Sequence, residues 1–167
     1  VLKQEANVTL EKIDYLKKVL RGKYGWELWA KVYRRELFDE PMYIPCHLRI
    51  GEDATVYMQL VARSCKVKII NEALYNYIQY PSSASHQRSV TLAEETLQAA
   101  FYIDHLLKKE SFYQEIRDEI DAMYLLFYSN STRKAFLRLN HPLIYQVYQE
   151  HYSLRALKIL PLFKSIY

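Results

Sequence analysis

Glycine and cysteine are scarce in this chain of 167 residues. Its three glycines lie at positions 22, 25 and 51, so neither of the common glycine-rich phosphate-binding loops can be written. The two cysteines, Cys46 and Cys65, lack the spacing of a metal or redox site, and we expect two buried thiols in a reducing compartment. The longest apolar run, 122–128, is seven residues, well short of the roughly 18 that a membrane-spanning helix needs.

The composition is otherwise that of a folded domain, with 50% hydrophobic and 25% charged residues. Tyrosine is unusually frequent, with 16 residues spread along the chain. No charged and then apolar leader opens the sequence, which predicts neither a signal peptide nor a membrane anchor. The chain opens on Val1 instead of methionine, and we therefore expect it to be a fragment of a longer protein.

The formal net charge of +4 is distributed unevenly. Residues 90–130 carry three basic and eight acidic side chains, whereas residues 131–167 carry six basic and one acidic. This contrast has two interpretations, complementary packing between neighbouring helices or a basic surface for a partner. We favour packing.

The hydrophobic pattern changes character at about residue 88. Before it, helices are predicted from Thr9 to Arg21 and from Glu52 to Ser64, and alternation at 66–70 and 74–79 predicts a small sheet. After it, four helix starts are predicted from capping residues or proline, at Thr91, Ser111, Asn130 and Pro142. Pro161 is expected to kink or end a last helix. The predicted fold is α+β and mostly helical, with one unit at 1–88 and a helical unit at 89–167.

Chemically versatile side chains concentrate between Trp29 and Asp53. Glu52 and Asp53 follow Gly51 at a predicted helix start, where the positive end of the helix dipole stabilises carboxylates. Alternatively, one carboxylate faces a cleft as a general base, with nearby cations holding an anionic substrate. Their spacing leaves both interpretations open.

Four segments in this order resemble family-2 glycosyltransferases with the GT-A fold, above all the bacterial capsule, exopolysaccharide and lipopolysaccharide members. WAKVYRRELF at 29–38 is similar to W-x-K-L-Y-R-R-x-L-F, and IGED at 50–53 matches the catalytic I-G-E-D segment. Residues 62–77 resemble A-K-K-I-x-x-I-x-E-P-L-Y-x-Y, and PSSAS at 81–85 resembles P-x-S-A-S.

The resemblance implies an inverting transfer of a sugar from a nucleotide-sugar donor to a growing glycan in bacterial surface polysaccharide synthesis. Asp53 would be the base that deprotonates the acceptor hydroxyl, and Glu52 its neighbour on the acceptor side. The resemblance also implies four substrate-binding side chains: Trp29, Lys31, Arg34 and Arg49. Lys31 and Arg34 would approach the diphosphate or the acceptor, and the alternative is that both are surface cations near a strand end.

The chain also departs from the family pattern. The family's donor-binding half with its metal-binding D-x-D should precede these segments, and no D-x-D occurs in the 167 residues. Many relatives carry Arg and His after L-Y-x-Y, where this chain has Gln79, Tyr80 and Pro81. We therefore expect no metal or cofactor site in this chain, Mg²⁺ or Mn²⁺ in the missing upstream half, and no activity of the fragment alone.

The segment 142–167 mixes aromatic and basic residues and has two interpretations. It suits an interfacial helix on an anionic bilayer, which would bring the enzyme to a lipid-linked acceptor, or it completes the helical core. The core interpretation is favoured, because the acidic helices before it need a partner. A non-catalytic helical module that binds a protein or a membrane is the alternative function. No nucleic-acid-binding module is recognisable, and the expected location is the cytoplasm or the inner face of the plasma membrane.

Overall fold

A computed structural model describes residues 7–78, 80, 89–135 and 141–160. Its helices are α1 (Lys12–Leu20), α2 (Glu52–Arg63), α3 (Val90–Leu107), α4 (Arg117–Ala135), α5 (Pro142–His151) and α6 (Leu154–Ile159). Short 3-10 helices cover Arg35–Phe38 and Tyr113–Ile116, and two strands, β1 (Thr9–Glu11) and β2 (Lys66–Lys68), form an antiparallel pair. The predicted α+β, mostly helical class is confirmed.

Helix α4 is the centre of the packing, since α1, α3, α5 and α6 all contact it, and α2 packs against α3 and α1. Its inward side chains repeat at helical spacing and are nearly inaccessible to solvent: Ile120, Met123, Tyr124 and Phe127. The same hydrophobic cluster contains side chains from α1 and α2. Both predicted units thus contribute to one core, while the boundary between them lies outside the described residues and stays a prediction.

A buried carboxylate ties α3 to α4. Asp104, 2% exposed, accepts hydrogen bonds from the hydroxyls of Tyr113 at 2.7 Å and Tyr124 at 3.2 Å. Lys108, one turn further along α3, places its ammonium 2.9 Å from the same carboxylate. The buried charge is therefore both paired and hydrogen-bonded, as a charge removed from water must be.

The predicted sheet is wrong in its pairing. Strand β2 pairs with β1, with Leu10 opposite Val67, and residues 74–78 form no strand. The Lys12 amide donates to the Cys65 carbonyl at 3.0 Å, so the extended chain runs directly into α1. The predicted helix start at Thr9 is wrong for the same reason, because Thr9 belongs to the strand.

Two other predictions from local sequence are wrong. No helix begins at Asn130, because α4 continues through it to Ala135, and the Ser131 hydroxyl donates to the Ala93 carbonyl on α3 at 3.1 Å. The thiols of Cys46 and Cys65 are exposed, not buried. The proline-led start of α5 at Pro142 is confirmed, whereas the effect predicted for Pro161 falls outside the described residues.

Candidate functional site

The predicted catalytic carboxylates stand in the first turn of α2, at a close approach to α3. Gly51 precedes the helix with a φ of +95°, a conformation that favours glycine, and a Cβ atom there would lie 2.4 Å from the Cβ of Ala99. The Thr55 amide and hydroxyl both donate to the Gly51 carbonyl, at 3.0 and 2.9 Å. The turn that carries Glu52 and Asp53 is therefore fixed by sterics and by hydrogen bonds.

The loop before this turn is held by Arg49. Its backbone amide donates to the buried carboxylate of Glu95 on α3 at 2.9 Å, and its guanidinium donates to the other oxygen at 3.1 and 3.0 Å. Burial opposes ionisation of Glu95, but the hydrogen bonds from Arg49 outweigh it and lower the pKa of this carboxyl. Arg49, predicted to bind substrate, is thus engaged in positioning the loop.

Lys31 lies among acidic and phenolic groups close to Asp53. Its ammonium donates to the Glu27 carbonyl, stands 3.6 Å from the Glu27 carboxylate, and lies 4.7 Å above the ring of Tyr57. Burial lowers the pKa of Lys31, while the charges of Glu27 and Asp53 act in the opposite direction. The charge of Asp53 therefore acts on Lys31, and their membership of one site stays a prediction.

Three phenols interact with one another next to Lys31, which lies over the ring of one of them, Tyr57. The hydroxyls of Tyr15 and Tyr57 share a hydrogen bond, and the Tyr33 hydroxyl donates to the Leu28 carbonyl at 3.2 Å. Burial is the main cause that raises the pKa of all three tyrosines, and the negative charge of Asp53 adds to the effect at Tyr33. These phenols therefore stay protonated at neutral pH, able to donate hydrogen bonds.

Trp29 belongs to an aromatic stack on the surface. Its indole lies parallel to the ring of Tyr77 at 4.5 Å and to that of Tyr75 at 5.3 Å, with interplanar angles of 7° and 18°. All three side chains are exposed. Ala30, between Trp29 and Lys31, has a φ of +57°, a strained conformation for a residue with a side chain. The stack therefore adjoins Lys31 through a strained turn.

The other two predicted groups differ in their surroundings. Arg34 is exposed at the start of the 3-10 helix Arg35–Phe38. Glu52 is half-buried, and its Oε2 atom is shielded from solvent without a hydrogen-bond partner among the described residues. A shielded carboxylate oxygen is costly to leave without a donor, and such atoms call for an explanation.

Several residues around Trp29, Lys31 and Asp53 were not identified from the sequence as site residues, although some of them carried a signal. Tyr57 carried a usable signal, because it lies four positions after Asp53 and therefore shares its helix face. Tyr75 and Tyr77 also carried one, since alternate residues of an extended segment point to the same side. Tyr15 and Glu27 carried none, because only the tertiary fold brings them to Lys31 and Tyr57.

Comparison with known proteins supports a coarse functional class. Over 101 residues, 58% of its length, the chain is 29% identical to a Bacillus subtilis (strain 168) protein named "Uncharacterized glycosyltransferase EpsJ". The aligned part is 29% of that protein, so the chain spans less than a third of its length. The chain is similar to a glycosyltransferase. No family model and no solved structure matches it.

The described residues do not fit the metal that the resemblance implies. No group of three or more His, Cys, Asp and Glu side chains in this part of the chain could hold a metal ion. A polar depression lies between α1, α4 and α6, and none of the six predicted site residues lines it. None of the described helices is long and apolar enough to cross a membrane.

Proposed function

We propose that this chain is the acceptor-side part of an inverting glycosyltransferase of the family-2, GT-A type. The full-length enzyme would move a sugar from a nucleotide-sugar to a growing or lipid-linked glycan in bacterial surface polysaccharide synthesis. The supporting observation is the fixed turn that carries Glu52 and Asp53, together with the electrostatic effect of Asp53 on Lys31. The similarity to a named glycosyltransferase supports the same class.

In the proposed reaction, Asp53 removes a proton from an acceptor hydroxyl. The hydroxyl oxygen forms a bond to the anomeric carbon of the donor sugar as the bond from that carbon to the diphosphate oxygen breaks. The nucleoside diphosphate leaves with the electron pair, and the configuration at the carbon is inverted. Since a positioned base contributes through geometry as well as basicity, the rigid turn after Gly51 has a direct role.

The neighbouring groups have roles in acceptor binding. Glu52, half-buried next to Asp53, would line the acceptor side of the site. The Trp29, Tyr75 and Tyr77 rings offer flat apolar surfaces of the kind that pack against the C–H face of a pyranose. Lys31 would contribute a positive charge to the same side of the site. Arg34, which is exposed three positions after Lys31, would bind the diphosphate.

The donor-binding half, with its D-x-D and divalent metal, would cover the exposed apolar segment that follows β2. Leu74 is 75% exposed and Ile78 is 66% exposed, more than is usual for side chains of this size on one short segment. We place the reaction in the cytoplasm, a reducing compartment, because Cys46 and Cys65 are both unpaired thiols.

The test is Asp53→Asn in the full-length protein that contains both halves. The turnover number should fall by about 10²- to 10⁴-fold, the usual contribution of a general base. The affinity for the nucleotide-sugar should stay nearly unchanged, since Asp53 is placed on the acceptor side. Asp39→Asn removes an exposed carboxylate from the same region and is the matched control. Full activity of Asp53→Asn would exclude Asp53 as the base.

A further inference from the structure

One stripe of α3 holds the segment 47–51, which leads into the first turn of α2. Glu95, Ala99 and Tyr102 are spaced by four and three positions and therefore lie along one side of the helix. Each of them meets a different residue of the segment, and Ala99 lies against Gly51. We call these three residues the α3 stripe.

The two polar contacts of the α3 stripe differ in strength. The Glu95 carboxylate, 8% exposed, accepts hydrogen bonds from three N–H groups of Arg49, one on the backbone and two on the guanidinium. The Tyr102 hydroxyl and His47 Nε2 share a single hydrogen bond at 3.1 Å on the surface. Hydrogen bonds to a charged group are the stronger kind, so Glu95 is the main polar contact between α3 and the segment.

Helix α3 is itself fixed to α4 on its opposite side. The Ser131 hydroxyl donates to the Ala93 carbonyl at 3.1 Å, and the Tyr124 hydroxyl donates to the Asp104 carboxylate at 3.2 Å. At 100° per residue, positions 93 and 104 lie about half a turn around the helix from Glu95. The α3 stripe is therefore part of a supported helix, and a group held by such an element is placed more accurately than one on a loop.

We propose that the α3 stripe, through Glu95 above all, positions the segment 47–51 so that Asp53 meets the acceptor hydroxyl. This inference rests on the proposed function and makes the helical part of the chain necessary for the reaction. Glu95 lies outside the four segments that resemble the glycosyltransferase family, so the resemblance assigns it no role. It is a positioning residue that touches no substrate. A displacement of about 1 Å at a reacting group can cost about 100-fold in rate.

The experiment measures sugar transfer by the full-length protein with Glu95→Gln. The glutamine amide group would replace one accepting oxygen, so that two donors face each other at Arg49 and the segment shifts. The turnover number should fall by about 10- to 100-fold, while the KM for the nucleotide-sugar stays nearly unchanged. Glu94→Gln is the matched control, because Glu94 is the neighbouring carboxylate on α3 and contacts His141 at 3.0 Å. The control should transfer sugar like the parent.

A double variant separates positioning from a simple loss of folded protein. If Glu95 acts through Asp53, Glu95→Gln should cost at most about twofold when it is added to Asp53→Asn. A loss of folded protein would instead lower the rate by the same factor in both backgrounds. Tyr102→Phe removes only a surface hydroxyl and keeps the test decisive if Glu95→Gln fails to fold. It should slow turnover by about threefold to tenfold, and only where Asp53 is present.

The possible outcomes distinguish this inference from the proposed function. The inference is overturned if a folded Glu95→Gln turns over like the parent, if Glu94→Gln is slowed as much, or if the loss persists in the Asp53→Asn background. A parental rate of Tyr102→Phe overturns it if Glu95→Gln does not fold. These results leave the role of Asp53 intact. Full activity of Asp53→Asn would instead remove the proposed base, and the role of Glu95 with it.

Discussion

The close approach of Gly51 to Ala99 leads to a quantitative prediction about how the turn at the start of α2 is held. In Gly51→Ala, the new methyl group would meet the Ala99 Cβ at 2.4 Å, and the residue would have to keep a φ of +95°. Positive φ costs an L-residue about 1–2 kcal/mol, and overpacking a close contact costs about 1–3 kcal/mol. We expect Gly51→Ala to lower the free energy of unfolding by about 2–5 kcal/mol in total.

The two contributions separate in a double-mutant cycle. Ala99→Gly alone should cost about 1 kcal/mol, because glycine is unfavourable inside a helix. In the double variant the steric clash disappears while the backbone strain remains. The double variant should therefore be more stable than the sum of the single effects predicts, by about 1–3 kcal/mol.

Urea unfolding followed by circular dichroism provides the assay, with the four proteins measured under the same conditions. The m-values should agree, so that the midpoints report stability. Strict additivity of the two substitutions would refute the inference that the α2 start and α3 are in direct steric contact. If Gly51→Ala lowers the turnover number of the full-length protein and the double variant restores it, this contact would also be linked to the placement of Asp53.

Two further predictions concern pH. Burial and the Asp104 carboxylate raise the pKa of Tyr113 to about 12, so its stabilising contribution is complete below pH 10 and is lost as the pH rises towards 12. In Tyr113→Phe the decline of stability over this range should be shallower by up to about 1.4 kcal/mol per pH unit, and an unchanged slope would contradict the assignment. The lowered pKa of Glu95 means that its contribution is present above the ordinary value of 4.5 and is lost as the pH falls through the folded value. Acid unfolding of Glu95→Gln, followed by circular dichroism, should show a weaker pH dependence than the parent, whereas equal dependence would argue against the Arg49 contact.

The sequence predicts those features that depend on neighbouring residues. The start of α2 follows from glycine and two carboxylates in a row, and the start of α5 follows from Pro142 at its first position. The strand pairing could not be predicted in the same way. The partner of Val67 is Leu10, far away in the sequence, and no local signal specifies such a distant pair. The Asn130 capping signal failed because the buried Ser131 contact with α3 stabilises a longer helix.

The same distinction between local and distant contacts applies to the candidate site. Glu52, Asp53, Lys31 and Trp29 were expected from a resemblance between short segments, and their roles in catalysis and binding stay predictions. The two hydrogen bonds that the Arg49 guanidinium donates to one oxygen of Glu95 depend on the approach of α3, which the sequence does not encode locally. The approach of α3 also explains why Arg49 has a protein partner, and its role in substrate binding stays a prediction.

The packing of α2 on α3 has a consequence for protein engineering. In the sequence, α2 precedes the segment 81–88 and α3 follows it, yet the apolar side chains of the two helices belong to one cluster. A polypeptide ending at Tyr80 and another starting at Ser89 would each display a matching half of that cluster. Co-expressed as separate chains, they should recognise one another and reassemble, which would turn this domain into a split reporter of proximity.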